Sequence, residues 1–274
     1  MIELPEATVL AQQISETIAG KRVKKVAAAK SPHKFAWYYG DPKEYPGLLL
    51  GKAIGAAASY GGMVEIPAGD ATLLFGDGVN LRYFEAQEKL PDKHQLCIEF
   101  EDGSSLVGSV RMYGGLWAFP TGRFNNKYYQ LSKEKTPPLS DAFDRAYFDS
   151  LLSESTSKLS LKAFLATEQR IPGLGNGVLQ DILFNAKMHP KKKVNTLSGK
   201  GKEELLGSLK ATLTQMVDGG GRDTETDLHG RPGGYKTLLS RNTVNNPCSV
   251  CGTIIRKEAY MGGSIYFCPQ CQKT

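Results

Sequence analysis

The sequence predicts a multi-domain α+β protein: an N-terminal β-sandwich carrying an N-terminal helix, a helical domain, and a C-terminal hairpin framed by cysteines. Three features lead there. Short alternating stretches separated by Gly, Asp and Pro fill residues 23–119, the pattern of a sandwich or barrel. Apolar residues spaced three and four apart take over beyond residue 143. Two Cys-x-x-Cys pairs close the chain. A length of 274 residues leaves room for two domains and an appendage. The boundaries read as 1–131, a linker at 132–142, then 143–240 and 241–274.

Residues 5–19 are expected to be helical. Pro5 suits a first turn, Glu6 complements the helix N-terminus, Leu10, Ile14 and Ile18 form one stripe, and Gly20 suits the stop. Strands are expected at Val23–Ala28, Met63–Ile66, Thr72–Phe75, Val79–Phe84, Leu96–Phe100 and Ser105–Val110, with Asp102-Gly103 as a hairpin turn. In the Leu96–Phe100 strand, Cys97 falls opposite Leu96, Ile98 and Phe100 and reads as a structural thiol. The prolines and mixed charges of 132–142 carry no apolar period. Ser160 can cap a helix through Leu161, Phe164 and Leu165. Leu179, Ile182, Leu183 and Ala186 mark a second helix, and Leu205 to Val217 a third. Residues 219–247, rich in Gly, Asn and Pro, read as an irregular loop.

Charge is unevenly spread. Residues 1–184 hold 20 Lys/Arg against 21 Asp/Glu, whereas 185–274 hold 14 against 7. A basic last third suggests either a polyanionic partner or a solubilising surface. The spacing Cys248-x2-Cys251-x16-Cys268-x2-Cys271 lets a short hairpin bring two turns together, the closed S4 set of one structural zinc. An odd cysteine count with paired spacing argues for metal over disulfides, and so for a reducing, cytoplasmic compartment. The N-terminal stretch shows no secretory pattern and no run is long enough to span a bilayer, so no membrane partner is expected.

Ile171-Pro-Gly-Leu-Gly-Asn176 precedes a helix. Gly173 and Gly175 permit a tight turn and close approach to a ligand, and the helix start offers free N–H groups to a phosphate. The alternative reading is a glycine joint that serves packing. Together with Glu3-Leu4-Pro5-Glu6, Lys162-Ala163-Phe164-Leu165, Ala186-Lys187-Met188-His189-Pro190 and Phe267-Cys268-Pro269-Gln270-Cys271-Gln272, this order resembles the formamidopyrimidine-DNA glycosylase and endonuclease VIII family of base-excision repair proteins. The resemblance spans the chain. It implies a helix-two-turn-helix middle domain, a zinc-finger hairpin, and a monomer acting on double-stranded DNA that contains a damaged base or abasic site. It also implies a mechanism: an N-terminal proline amine attacks C1′ of a flipped nucleotide, the next glutamate handles protons, and a Schiff base leads to strand cleavage.

The chain departs from that pattern. Ile2 stands at the proline position, followed by Glu3. The family's β-domain lysine falls on Gly62 and its hairpin arginine on Gly263. Isoleucine disfavours methionine removal, so Met1 is expected to stay and to set the α-amine up to about 3.5 Å further out. The catalytic candidates are therefore Glu3, Met1 and Ile2. Asn176 and Gly175 match the phosphate-holding turn, and Arg111 and Tyr113 match the arginine and aromatic that enter the stack. Lys236, Arg241, Arg256 and Lys257 are candidates to replace the lost phosphate contacts. The loop that closes over the flipped base is expected within 219–240. The expected function is damaged-base removal with weakened or absent AP-lyase activity; the alternative is a non-catalytic damaged-DNA binding protein of the same fold.

Overall fold

The structure is a computed structural model and describes residues 1–273. Helix α1 (Leu4–Ile18) starts where expected, with Pro5 in its first turn and Glu6 accepting the Glu3 backbone N–H at 3.2 Å. Gly20 ends it at φ +85°, a conformation that suits glycine. Then follow β1 (Val23–Ala28), β2 (Ala36–Trp37), α2 (Tyr45–Leu49), β3 (Ala58–Tyr60), β4 (Met63–Ala68), β5 (Ala71–Phe84), β6 (Leu96–Phe100) and β7 (Ser105–Pro120). They form one sheet of order β1-β6-β7-β5-β4-β3, with β2 parallel to β7 off that path. The two strands expected at Thr72–Phe75 and Val79–Phe84 are one, because the glycines between them mark a bulge: the pairing of β5 with β7 shifts register between Asp77 and Val79. The expected sandwich is thus built from one continuous hydrogen-bonded sheet. Its two halves, before and after the bulge, line a single core with α1 through residues such as Ile14, Phe75, Leu81 and Ile98. Cys97 lies on the half-buried face of β6, as its alternation predicts.

The helical part comprises α3 (Lys127–Glu134), α4 (Arg145–Ser150), α5 (Leu161–Ala166), α6 (Val178–Asn185) and α7 (Gly199–Asp218). Residues 132–134, expected in the linker, are helical instead. Asn126 caps α3 by accepting the Tyr129 N–H, and Tyr129 packs into an aromatic cluster with Trp117 and Phe119, a long-range contact that local composition does not report. Ser160 caps α5 as predicted. Residues 219–247 are irregular, and β8 (Arg256–Tyr260) pairs with β9 (Gly263–Phe267) across a Met261-Gly262 turn in which both residues have positive φ. No helix among the described residues is long and apolar enough to cross a membrane.

Two apolar cores result, and each borrows one leucine from the other part of the chain. Leu4 of α1 is buried in the helical core. Leu228, from the loop after α7, is buried in the N-terminal core, where its carbonyl accepts the Tyr83 N–H at 2.9 Å. The cysteine hairpin has its own small core against Phe184 of α6.

Tyr45 is fully buried; its hydroxyl donates to the Leu116 carbonyl at 2.9 Å and accepts the Tyr39 N–H at 2.9 Å. Tyr45→Phe removes both of these buried hydrogen bonds. The expected cost is about 1–3 kcal/mol in urea unfolding at unchanged m-value.

Candidate functional site

The two cores meet along a cleft of about 500 Å³. The N-terminal segment supplies Met1, Ile2 and Glu3; the sheet supplies Gly62, Asp77, Met112 and Tyr113; the turn before α6 supplies Gly173 to Asn176; α5 supplies Lys162; and the hairpin tip supplies Met261 to Gly263. Of the predicted residues, Met1, Ile2, Glu3, Tyr113, Gly175 and Asn176 therefore come together. Arg111 lines a smaller crevice beside it, with Glu6 and Glu225. Lys236, Arg241, Arg256 and Lys257 are exposed and do not line the cleft, and Arg241 donates to the Thr224 carbonyl.

Glu3 is buried, 4% exposed. Its two oxygens accept the Gly177 and Val178 N–H groups, each at 2.8 Å, so the carboxylate caps the start of α6. Arg222 lies beside it with a 3.5 Å ion pair, and reaches Glu6 through Nε at 2.9 Å and Nη2 at 2.7 Å. All three side chains are buried. Burial raises the Glu3 carboxyl above its ordinary value, against the attraction of Arg222. Burial would also raise Glu6, but the charge and hydrogen bonds of Arg222 outweigh it and hold Glu6 below the usual range. Arg222 carries the loop 219–240 onto the N-terminal domain. Glu225 binds the Met1 ammonium, Asp227 accepts from Gln13, and Thr226 donates to Asn80. The loop expected to close over a flipped base is thus packed against α1 and β5.

The N-terminus differs from the pattern in geometry as well as in residue type. Ile2 has its side chain in the apolar core and its N–H on the Asp77 carbonyl at 2.6 Å. The nitrogen at the proline position is an amide, and the α-ammonium is one residue away, on Glu225.

The glycines expected to approach a ligand approach protein. A Cβ at Gly173 would stand 2.5 Å from the Gly61 backbone, and Gly173 has φ +79°. At Gly175 it would meet the Glu3 carboxyl at 2.6 Å, and at Gly177 the Arg222 guanidinium at 1.6 Å. At Gly62 it would lie 3.1 Å from the Ile2 carbonyl. The packing alternative explains these positions. Asn176 donates to the Ser264 carbonyl at 2.8 Å, joining α6 to the hairpin, while its Oδ1 is buried without a partner among the described residues.

Three cleft or near-cleft residues escape the motif reading: Asp77, Lys162 as an individual side chain, and Arg222. Lys162 Nζ donates to the Tyr260 carbonyl at 2.6 Å and lies 3.4 Å from where a Gly263 Cβ would stand. It places a cation at the hairpin tip, and burial lowers its pKa. The signals were present as Gly76-Asp77-Gly78 and as an arginine directly after three glycines.

At the hairpin base the four cysteine sulfurs lie within 4.8 Å of one another, with Cys248–Cys271 at 3.9 Å and Cys251–Cys268 at 3.4 Å. A tetrahedral zinc with Zn–S near 2.3 Å wants sulfurs about 3.8 Å apart, so this donor set fits one closed site.

The formamidopyrimidine-DNA glycosylase H2TH domain model matches residues 135–227. Formamidopyrimidine-DNA glycosylase of Cytobacillus firmus is 28% identical over 289 residues, covering 99% of this chain and all of that one. The Listeria innocua protein of the same name is 27% identical over 284 residues, with both chains covered in full. Among solved structures, Lactococcus lactis Fpg bound to abasic-site DNA superposes with TM-score 0.83 at 24% identity, covering 99% and 100% of the two chains. MutM bound to DNA containing carbocyclic 8-oxo-G superposes with TM-score 0.82 at 25% identity, at the same coverage.

Arg222→Met should strip two buried carboxylates of their cation and lower unfolding stability by about 3–5 kcal/mol. The same pairing gives the parent protein a pH dependence. Glu6 titrates below the ordinary glutamate range in the folded state, so its contribution is present at neutral pH and is lost as pH falls through that lowered folded-state pKa. Urea unfolding of parent and Glu6→Gln between about pH 3 and 7 should show the variant with the shallower acid decline.

Proposed function

The chain belongs to the formamidopyrimidine-DNA glycosylase and endonuclease VIII family, and on that premise we propose that it binds damaged or abasic duplex DNA and removes a flipped damaged base, with Schiff-base lyase chemistry weakened. One observation carries this reading: N-terminal segment, sheet, α6 turn and hairpin tip converge on one cleft around Glu3. A flipped nucleotide needs such a cleft because its reacting atoms are hidden in the stack. The Asn176 side chain, the Lys162 ammonium and the exposed Met112 beside Tyr113 supply polar, cationic and apolar contacts at its rim. Arg111 and Tyr113 enter the stack, Asn176 holds the backbone, and Gly175 makes room for Glu3 beneath it. Lys236, Arg241, Arg256 and Lys257, which stand outside the cleft, serve DNA running beyond it.

The lyase step weakens for a stated reason. A Schiff base needs a neutral amine within about 1 Å of the productive position. With Met1 in place, the Ile2 nitrogen is an amide committed to Asp77, and the Met1 amine is an ammonium held by Glu225. Base release needs only water and a correctly placed carboxylate. Glu3 remains a proton-handling group, since burial raises its pKa. The engagement of both its oxygens favours a second reading, a non-catalytic binder of the same lesions. The four thiolates hold one structural zinc that fixes the hairpin against α6, and the protein works as a monomer in a reducing cytoplasm.

The test pairs borohydride trapping on abasic-site DNA with base release from a panel of damaged duplexes. The expected result is release without efficient trapping, and Glu3→Gln should reduce release by about 10²-fold or more. Efficient trapping at the N-terminus would refute the weakened lyase; binding without release from any duplex would establish the second reading. Metal analysis should find one zinc per chain. Cys268→Ala should lose it, together with DNA affinity, because the hairpin tip would no longer be held.

A further inference from the structure

The cleft holds two carboxylates, and only one of them is free. Glu3 is an acceptor on both oxygens, whereas the Asp77 side chain has no hydrogen-bond or ion-pair partner among the described residues. Asp77 lines the same cleft as Met1, Ile2 and Glu3. Its position is built by the backbone. It sits at the β5 bulge with φ +60°, the left-handed region, which Asp tolerates better than most residues but still at a cost. The next residue is held just as tightly, since a Cβ on Gly78 would stand 2.5 Å from the Tyr113 carbonyl. The Asp77 carbonyl takes the Ile2 N–H at 2.6 Å, which ties this residue to the N-terminal segment. Its charge is felt across the cleft. The Tyr113 phenol is pushed up by burial first, then by Asp77 and Glu3. Burial also raises Asp77 itself.

We propose that Asp77 is a catalytic carboxylate that activates the hydrolytic water, in place of an amine nucleophile, for cleavage of the N-glycosidic bond. The proposal rests on the glycosylase reading above. In the step, the water oxygen bonds to C1′ and the water proton passes to Asp77. The C1′–N bond breaks, and its electron pair leaves with the base, which takes a proton from solvent by way of Glu3. Asp77 then returns its proton to solvent. The same negative charge faces the positive charge that develops on the sugar ring as the base departs.

The test uses the full-length protein and two abasic-site duplexes, one with a neutral tetrahydrofuran ring and one with a cationic pyrrolidine ring. Wild type should prefer the pyrrolidine duplex by about tenfold, a modest charge-pair effect. Asp77→Asn, which keeps a residue that accepts the left-handed backbone, should bind the tetrahydrofuran duplex within about twofold of wild type, lose the preference, and release base about 10²-fold more slowly. Asp77→Glu should recover part of the preference. No preference in wild type, or one that survives in Asp77→Asn, would overturn the assignment of Asp77. An Asp77-dependent preference in a wild type that releases no base from any damaged duplex would instead overturn the glycosylase reading, and with it the water step.

Discussion

The buried guanidinium of Arg222, between Glu6 and Glu3, is the constraint on which the rest of the molecule hangs. Three charged groups almost wholly removed from water are costly unless each finds its partners. Here Glu6 takes two arginine nitrogens, and Glu3 takes two backbone N–H groups from the start of α6. These contacts join α1, the loop after α7 and α6, which come from opposite ends of the chain. Leu4 and Leu228 add apolar contacts in the same direction, each buried in the core of the other part. The relative placement of the two parts, and so the width of the cleft, follows from these contacts.

That arrangement consumes space, and the glycines provide it. Gly175 and Gly177 lie against Glu3 and Arg222, and Gly173 lies backbone to backbone with Gly61. Their absent side chains serve the assembly of the site before they serve any ligand. Gly62 follows the same logic: the N-terminal segment occupies the neighbourhood where a Cβ would point. The absence of a lysine there is therefore tied to the way Ile2 packs. At the hairpin tip, where Gly263 also lacks a cationic side chain, Lys162 brings a cation from α5.

The N-terminus departs from the family pattern in structure as well as in residue type. An isoleucine at position 2 does more than remove a secondary amine, because its side chain belongs to the core and its N–H to the sheet. On the proposed reading, activation of the attacking group then falls to whatever else the cleft presents. The Asp77 carboxylate is presented there by the bulge in β5.

By itself the sequence determined whatever local periodicity and spacing encode. Helix α1, its Pro5 start and Gly20 stop, the Ser160 cap, the alternation around Cys97 and the four-cysteine hairpin were all legible, because each depends on residues near one another in the chain. The order of short motifs from Glu3 to Gln272 was enough to suggest the family. Only the tertiary structure decided that β5 runs unbroken through its bulge, that α3 extends to Glu134, and that the exposed Lys236, Arg241 and Arg256 stand away from the cleft. It also decided that Arg222, 219 residues from Glu3 in sequence, is its charge partner, and that Asp77 lines the cleft with no side-chain partner among the described residues. The physical reason is the same in each case. Burial and backbone-to-backbone approach are properties of distant segments brought together, and no local pattern records which glycine makes room for which side chain.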